Sequence, residues 1–157
     1  MIILGIDPSL ASMGWGVIDA GNPLKYLASG VIKTRSIELM PRRLAFINLE
    51  LNSIIKKYIP NVIAMEETFV NMNNVSSLKL GYVRGAVMAL IGGHDIPFHE
   101  FKPNTIKKTV VGYGHSDKNQ VLQMIKLLLP GSHLLSSFDE ADALAVAYAC
   151  SVYTKIN

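Results

Sequence analysis

The period of the apolar residues changes once along this chain, near residue 40, and that change confines the fold to a sheet covered by helices. Three short strands with tight connections come before it. Ile2 to Ile6 is wholly apolar and ends at Asp7-Pro8, where proline has no N–H to offer a neighbouring strand. Gly14 to Ile18 and Tyr26 to Lys33 are the next two, joined by a turn at Gly21-Asn22-Pro23. Links this short predict an antiparallel meander.

Downstream, helical spacing takes over. Pro41 suits a first helical turn, and Leu44, Ile47, Leu51, Ile54 and Tyr58 follow at intervals of three and four until Pro60 stops the helix. Val62 to Glu66 is an apolar strand, expected to pair with the first strand through a crossover. Asn74 to Ile91 reads as a second helix closed by Gly92-Gly93; its Gly81 and Gly85 share a face and permit another backbone to come close. Ile96 to Phe101 is a fifth strand, and Pro103 opens a short helix that Gly112 and Gly114 end. Asp117 and Gln120 have capping-box spacing, with Ser116 as the other possible cap, and Val121, Leu122, Ile125 and Leu128 form the buried face that follows. An alanine-rich helix from about Asp139 to Tyr153 closes the pattern. The expected fold is α/β: a mixed five-stranded sheet, three antiparallel strands and then alternating helices and strands, flanked by helices.

Composition limits the class of protein. At 157 residues the chain fits a single domain, 1–157, and half of it is apolar against 17% charged, enough to bury a core. The longest apolar run, Ala143 to Cys150, is far short of the ~20 residues of a membrane-spanning helix, and no leader pattern opens the chain. Cys150 alone makes no internal disulfide, which suits a reducing cytosol. A cytoplasmic protein without membrane association is expected. The net charge of +3 says little, but Lys102, Lys107, Lys108, Lys118 and Lys126 face only Asp117 across one stretch. Such a basic region is either a footprint for a phosphate backbone or a solvated face.

Four of the twelve acids are placed where a core would reject them. Asp7 and Glu66 end apolar strands, while Asp139 and Asp142 lie three apart on a helix of Ala, Leu and Val. Burying an unpaired carboxylate is costly, and such groups persist when paired or bound to a cation. Each has a plainer reading. Asp7 suits a turn, Asp139 an N-cap, and Asp142 the positive end of a helix dipole; Glu67 faces away from Glu66 as a surface acid. Should the two strand ends be neighbours beside the last helix, all four carboxylates converge. Hard divalent ions take such oxygen ligands, and two of them about 3.5–4 Å apart suit phosphodiester hydrolysis.

These residues resemble the RuvC family of Holliday-junction resolvases, within the RNase H-like superfamily. Ile3-Leu4-Gly5-Ile6-Asp7-Pro8 and Gly14-Trp15-Gly16-Val17-Ile18 match its opening. Ala64-Met65-Glu66 with Phe69, Ser77-Leu78-Lys79-Leu80-Gly81 and Arg84-Gly85 match its middle. Lys107-Lys108-Thr109-Val110-Val111-Gly112-Tyr113-Gly114 with Lys118 and Gln120-Val121 match a DNA-contacting block, and Asp139-Glu140-Ala141-Asp142-Ala143-Leu144-Ala145 the closing acidic helix.

The resemblance implies a homodimeric endonuclease that resolves four-way junction DNA by paired nicks in recombination and repair, leaving 5′-phosphate and 3′-hydroxyl ends. It implies Asp7, Glu66, Asp139 and Asp142 as catalytic, metal-binding acids, with two Mg²⁺ per site and Mn²⁺ as a substitute. Lys107 and Lys118 correspond to lysines needed for cleavage. Phe69 corresponds to an aromatic that stacks on a base, and Lys108 to a DNA contact. Arg84 is a DNA contact or a structural residue. The branch-migration proteins RuvA and RuvB are the implied partners, and the second helix, through Gly81 and Gly85, the implied dimer face. Ser9, Met13 and Glu140 depart from the usual glycine, threonine and small residue of the family. Rival readings are a non-catalytic junction-binding module, an RNase H-like nuclease of other branched DNA or RNA, and an actin-like ATPase fold, whose second phosphate loop is absent.

Overall fold

In chain order the elements are β1 (Ile2–Asp7), β2 (Ser12–Asp19), β3 (Lys25–Lys33), α1 (Met40–Tyr58), β4 (Val62–Glu66), α2 (Asn74–Gly92), β5 (Phe98–Phe101), α3 (Pro103–Val111), α4 (Lys118–Leu128) and α5 (Phe138–Thr154). This is a computed structural model, and it describes residues 1–67 and 74–154. The strands form one mixed sheet in the order β3-β2-β1-β4-β5. The first three make the expected antiparallel meander, with Asp7 opposite Gly14 and an irregularity between Val17 and Ile18. β4 returns parallel to β1, pairing Ile3 with Val62 through Ile6 with Met65, and β5 extends the parallel half.

Because both sheet faces are covered, β1 is apolar throughout. Leu4 and Ile6, with Met13, Val17, Ile63 and Met65, pack against Ile47 and Leu51 of α1 and Val83 and Val87 of α2. Their alternates Ile3, Ile18, Val62 and Ala64 pack against α5, with α3 and α4 beyond it. Successive strand residues point to opposite faces, so Asp7 follows Ile3 and Gly5 onto the α5 side, and Glu66 follows Val62 and Ala64 there.

A seat of three glycines brings α5 down onto the strands. A Cβ on Gly5 would lie 2.2 Å from the Ala143 carbonyl oxygen, one on Gly14 1.9 Å from that of Asp139, and one on Gly16 2.7 Å from the Leu144 side chain. None of these positions has room for any side chain. The helix is correspondingly small-sided, and Ala141, Ala143, Leu144, Ala145, Val146, Ala147, Ala149 and Cys150 are all buried.

Element ends differ from the sequence expectation for local reasons. β5 begins at Phe98 rather than Ile96, since Pro97 offers only its carbonyl, which accepts from Ile63 N–H at 2.9 Å. Tyr58 is the last residue of α1: Ile59 turns left-handed at φ 47°, and the residue before a proline avoids the helical region. Asp117, not Ser116, caps α4, in a capping box with Gln120. Leu128 is only half-buried, whereas Leu129 just beyond α4 is fully buried. Asp139 does not cap α5. The helix starts one residue earlier, and Ser137 Oγ accepts from Glu140 N–H at 3.5 Å. A Cβ on Gly81 or Gly85 would meet nothing of the described residues within 4 Å, so the close approach expected there is not made among them.

Candidate active site

Adjacent parallel strands carry Asp7 and Glu66 at the same end of the sheet, one residue past the Ile6–Met65 pair, on the face covered by α5. Gly14, directly across from Asp7, receives the backbone of Asp139, and Asp142 follows one turn along α5. Strand pairing, side-chain alternation and the glycine seat thus bring acids separated by more than a hundred residues to one edge.

The four share one electrostatic field. Burial, then repulsion from Glu66 and Asp142, pushes Asp7 up to about 8; Asp139 adds to the rise and Lys118 opposes it. Burial and Asp142 push Glu66 up to about 7 against the pull of Lys107 and Lys118. Burial raises Asp142 as well, and its partner Lys118, 3.4 Å away, moderates the rise. The same ion pair raises Lys118, whose side chain stays mostly exposed.

The expected closed cluster is met in part. Among the described residues, no group of three acidic, histidine or cysteine side chains stands close enough to hold an ion in this conformation. Like charges repel, and each acid of α5 has its own partner: Asp139 Oδ2 accepts from the Ser12 hydroxyl and Asp142 pairs with Lys118. Clustered, partly buried carboxylate oxygens are nevertheless a donor set that fits a hard divalent ion. Raised proton affinities show how much a positive charge would stabilise them.

Lys107 is half-buried on α3 with its charge felt at Glu66 and Asp142, and Lys108 is exposed on the same helix. Arg84 turns inward: Nη1 donates to the Glu66 carbonyl at 2.9 Å, and Nη2 pairs with the Glu100 carboxylate. Of its two readings, this geometry favours the structural one, in support of Glu66. Phe69 lies outside the described residues.

Beside Asp7, Pro8, Ser9, Leu10 and Ala11 form one wall of an open cleft of about 330 Å³, with Ser76, Lys79 and Leu80 of α2 opposite. That loop is tied down. The Leu10 carbonyl accepts from Thr34 Oγ1 and, at 3.3 Å, from Arg43 Nη2, while Arg43 Nε donates to Thr34 Oγ1 at 2.8 Å. Sequence reading overlooked these supports and Ser12. Ser12, Gly14 and Gly16 alternate toward α5, and that period-2 row was the available clue.

The sequence profile of the family described as "Crossover junction endodeoxyribonuclease RuvC" matches residues 3–150. The protein of that name from Rickettsia massiliae is 61% identical over 153 residues, covering 97% of this chain and 98% of the relative. Thermus thermophilus RuvC, solved in complex with a Holliday junction substrate, superposes with a TM-score of 0.91 at 28% identity, covering 99% of this chain and 96% of that one. The yeast mitochondrial Holliday junction resolvase Ydc2 shares the fold, with a TM-score of 0.71 at 17% identity over 98% of this chain and 78% of its own.

Proposed function

Since the chain belongs to the RuvC family of crossover junction endodeoxyribonucleases, with the RNase H-like fold of that family, we propose that the edge carrying Asp7, Glu66, Asp139 and Asp142 is where it cuts. The protein is a metal-dependent nuclease that binds and resolves Holliday junctions in recombination and repair. What carries the assignment of the site is one observation. Two strand-end carboxylates and two helix carboxylates, otherwise out of place in an apolar sheet, face one another across the glycine seat.

Asp7, Glu66, Asp139 and Asp142 are the residues that would hold the cation, by their carboxylate oxygens. Mg²⁺ is the reading adopted, two per site, with Mn²⁺ as a substitute. The chemistry such an ion would supply is a lowered pKa for water and a counter-charge for the leaving oxygen. The chain's own groups do the rest. Lys118 and Lys107 attract the scissile phosphate and offset the negative field of the acids. Lys108 extends the basic surface to flanking phosphates, and the cleft between residues 8–11 and α2 guides the strand. Arg84 fixes the end of β4 through the Glu66 carbonyl. Water adds to phosphorus as the bond to the 3′ oxygen breaks, leaving a 3′-hydroxyl and a 5′-phosphate.

Two such sites come from a homodimer. Val75, Leu78 and Tyr82 are 63%, 56% and 45% exposed on α2, alongside Gly81 and Gly85 with open space over them, and this face suits a second copy. Phe69 as a stacking aromatic, a single domain over 1–157, a cytoplasmic location and the partners RuvA and RuvB belong to the same reading. No helix among the described residues is long and apolar enough to cross a membrane. The test is incubation of the protein and Asp7→Asn with a labelled four-way junction, with and without Mg²⁺. Cuts at paired positions are expected only from the unaltered protein with the metal. Undiminished cutting by folded Asp7→Asn would remove Asp7 from the site.

A further inference from the structure

We propose that Ser12 is a positioning residue for the cutting site, its hydroxyl fixing the direction in which Asp139 presents a carboxylate oxygen to the cation. The inference rests on the reading of the four acids given above. Ser12 opens β2 and shares its face with Gly14 and Gly16, so it is the first residue of that row with a side chain. That side chain meets the acid directly, with Ser12 Oγ donating to Asp139 Oδ2. An ionised carboxylate only accepts hydrogen bonds. Holding Oδ2 therefore sets the aim of Oδ1 without removing its charge.

Ser12 is also joined to the loop that follows the first acid. Its backbone N–H donates to Ser9 Oγ at 3.3 Å, two residues beyond Asp7. One residue thus links the Asp7 loop to Asp139. The docking of α5 itself has other supports. Glu140, adjacent in sequence to Asp139, accepts from Ser29 Oγ on β3, and Ser29 Oγ lies 3.1 Å from the Tyr26 hydroxyl. Together with the glycine seat, that contact anchors the first turn of the helix. Loss of the Ser12 hydroxyl should free the Asp139 side chain while leaving the helix in place. In metal sites, removing a group that orients a ligand typically weakens affinity or activity by about 10–100-fold.

Threonine and valine have nearly the same shape and differ here in the hydroxyl, so Ser12→Thr and Ser12→Val isolate it. The full-length variants are titrated with Mg²⁺, without DNA, and the cation-dependent rise in thermal midpoint is read. Junction cleavage is then followed against Mg²⁺ concentration. Ser12→Thr should match the unaltered protein. Ser12→Val should need roughly tenfold more Mg²⁺ in both measurements, with its KM for the junction unchanged at saturating metal. Ser12→Ala serves the same purpose if valine perturbs folding.

Equal Mg²⁺ dependence in the threonine and valine variants would overturn the role of the hydroxyl. Asp7→Asn, measured alongside, separates the two ideas. If it loses the Mg²⁺ response while Ser12→Val keeps it, only the inference about Ser12 fails. If Asp7→Asn keeps the response as well, the four-acid reading fails with it.

Discussion

Burial and three like-charged neighbours push Asp7 up to about 8 from an ordinary 3.8, and this has a consequence for stability. Below the unfolded value the carboxyl is protonated in both states and the raised affinity costs nothing. As pH climbs through the window up to about 8, the unfolded chain ionises more readily than the folded one, and stability is lost. Metal-free protein should therefore melt at progressively lower temperature as pH rises from 4 to 8, with Glu66, at about 7, contributing to the same slope. Asp7→Asn should flatten that slope and gain on the order of 1–2 kcal/mol near pH 8 while abolishing cleavage. Thermal unfolding in a chelator at several pH values checks it; an unchanged slope would mean that Asp7 is not crowded as described. The four acids themselves were legible as residues, since a carboxylate ending an apolar strand contradicts its surroundings. Their hold on Ser12 and Lys118 was not, because rotamers and partners on other elements leave no local pattern.

At the scale of the elements, α5 lies where it does because β1 and β2 present glycine at three places. Gly14→Ala would put a methyl 1.9 Å from the Asp139 carbonyl, which belongs to helix backbone and cannot swing aside. The first turn of α5 must lift, and with it both helix acids. A loss of about 3 kcal/mol in stability is expected from overpacking. Activity at a temperature where the variant is still folded should fall about a hundredfold, as it does when reacting groups are displaced by an ångström. Denaturant melts and junction assays measure the two; a variant as stable as its parent would mean that the helix is not seated on this glycine. Strand and helix identities followed from periodicity, and the capping box at Asp117 from spacing. Boundaries at Pro97 and Ser137 did not, since each depends on which backbone groups find partners after the chain has folded.

For the whole molecule, the outward face of α2 and the basic stretch from Lys102 to Lys126 are the surfaces on which the proposed assembly and binding turn. A Cβ on Gly81 would meet nothing of the described residues within 4 Å, so Gly81→Arg should cost the monomer nothing and even gain about 1 kcal/mol of helix propensity. If the proposed dimer forms on this face, sedimentation should show a dimer for the parent and monomers for the variant, with paired cuts replaced by single nicks; unchanged sedimentation would move the proposed dimer face elsewhere. Lys108→Ala should weaken junction binding similarly across sequences and reduce the slope of log affinity against log salt by about 0.9, the share of one phosphate contact. Binding titrations at several salt concentrations read it, and an unaltered slope would place Lys108 away from the DNA. The meander and the return of β4 to β1 were legible from the shift from short-linked strands to alternating helices; the place of β5 beside β4 was not. What packs on Gly81 and Gly85 was not legible, because two glycines on a helix look alike whether their neighbour is the same chain or another.

The proposed acids come from β1, β4 and α5, so only a chain that reaches into α5 can bring them together. A chain interrupted before residue 138 possesses two of the four carboxylates and has no helix to fill the glycine seat. Synthesis and folding thus act as an interlock: a copy that stops short of α5 lacks half of the proposed cutting site.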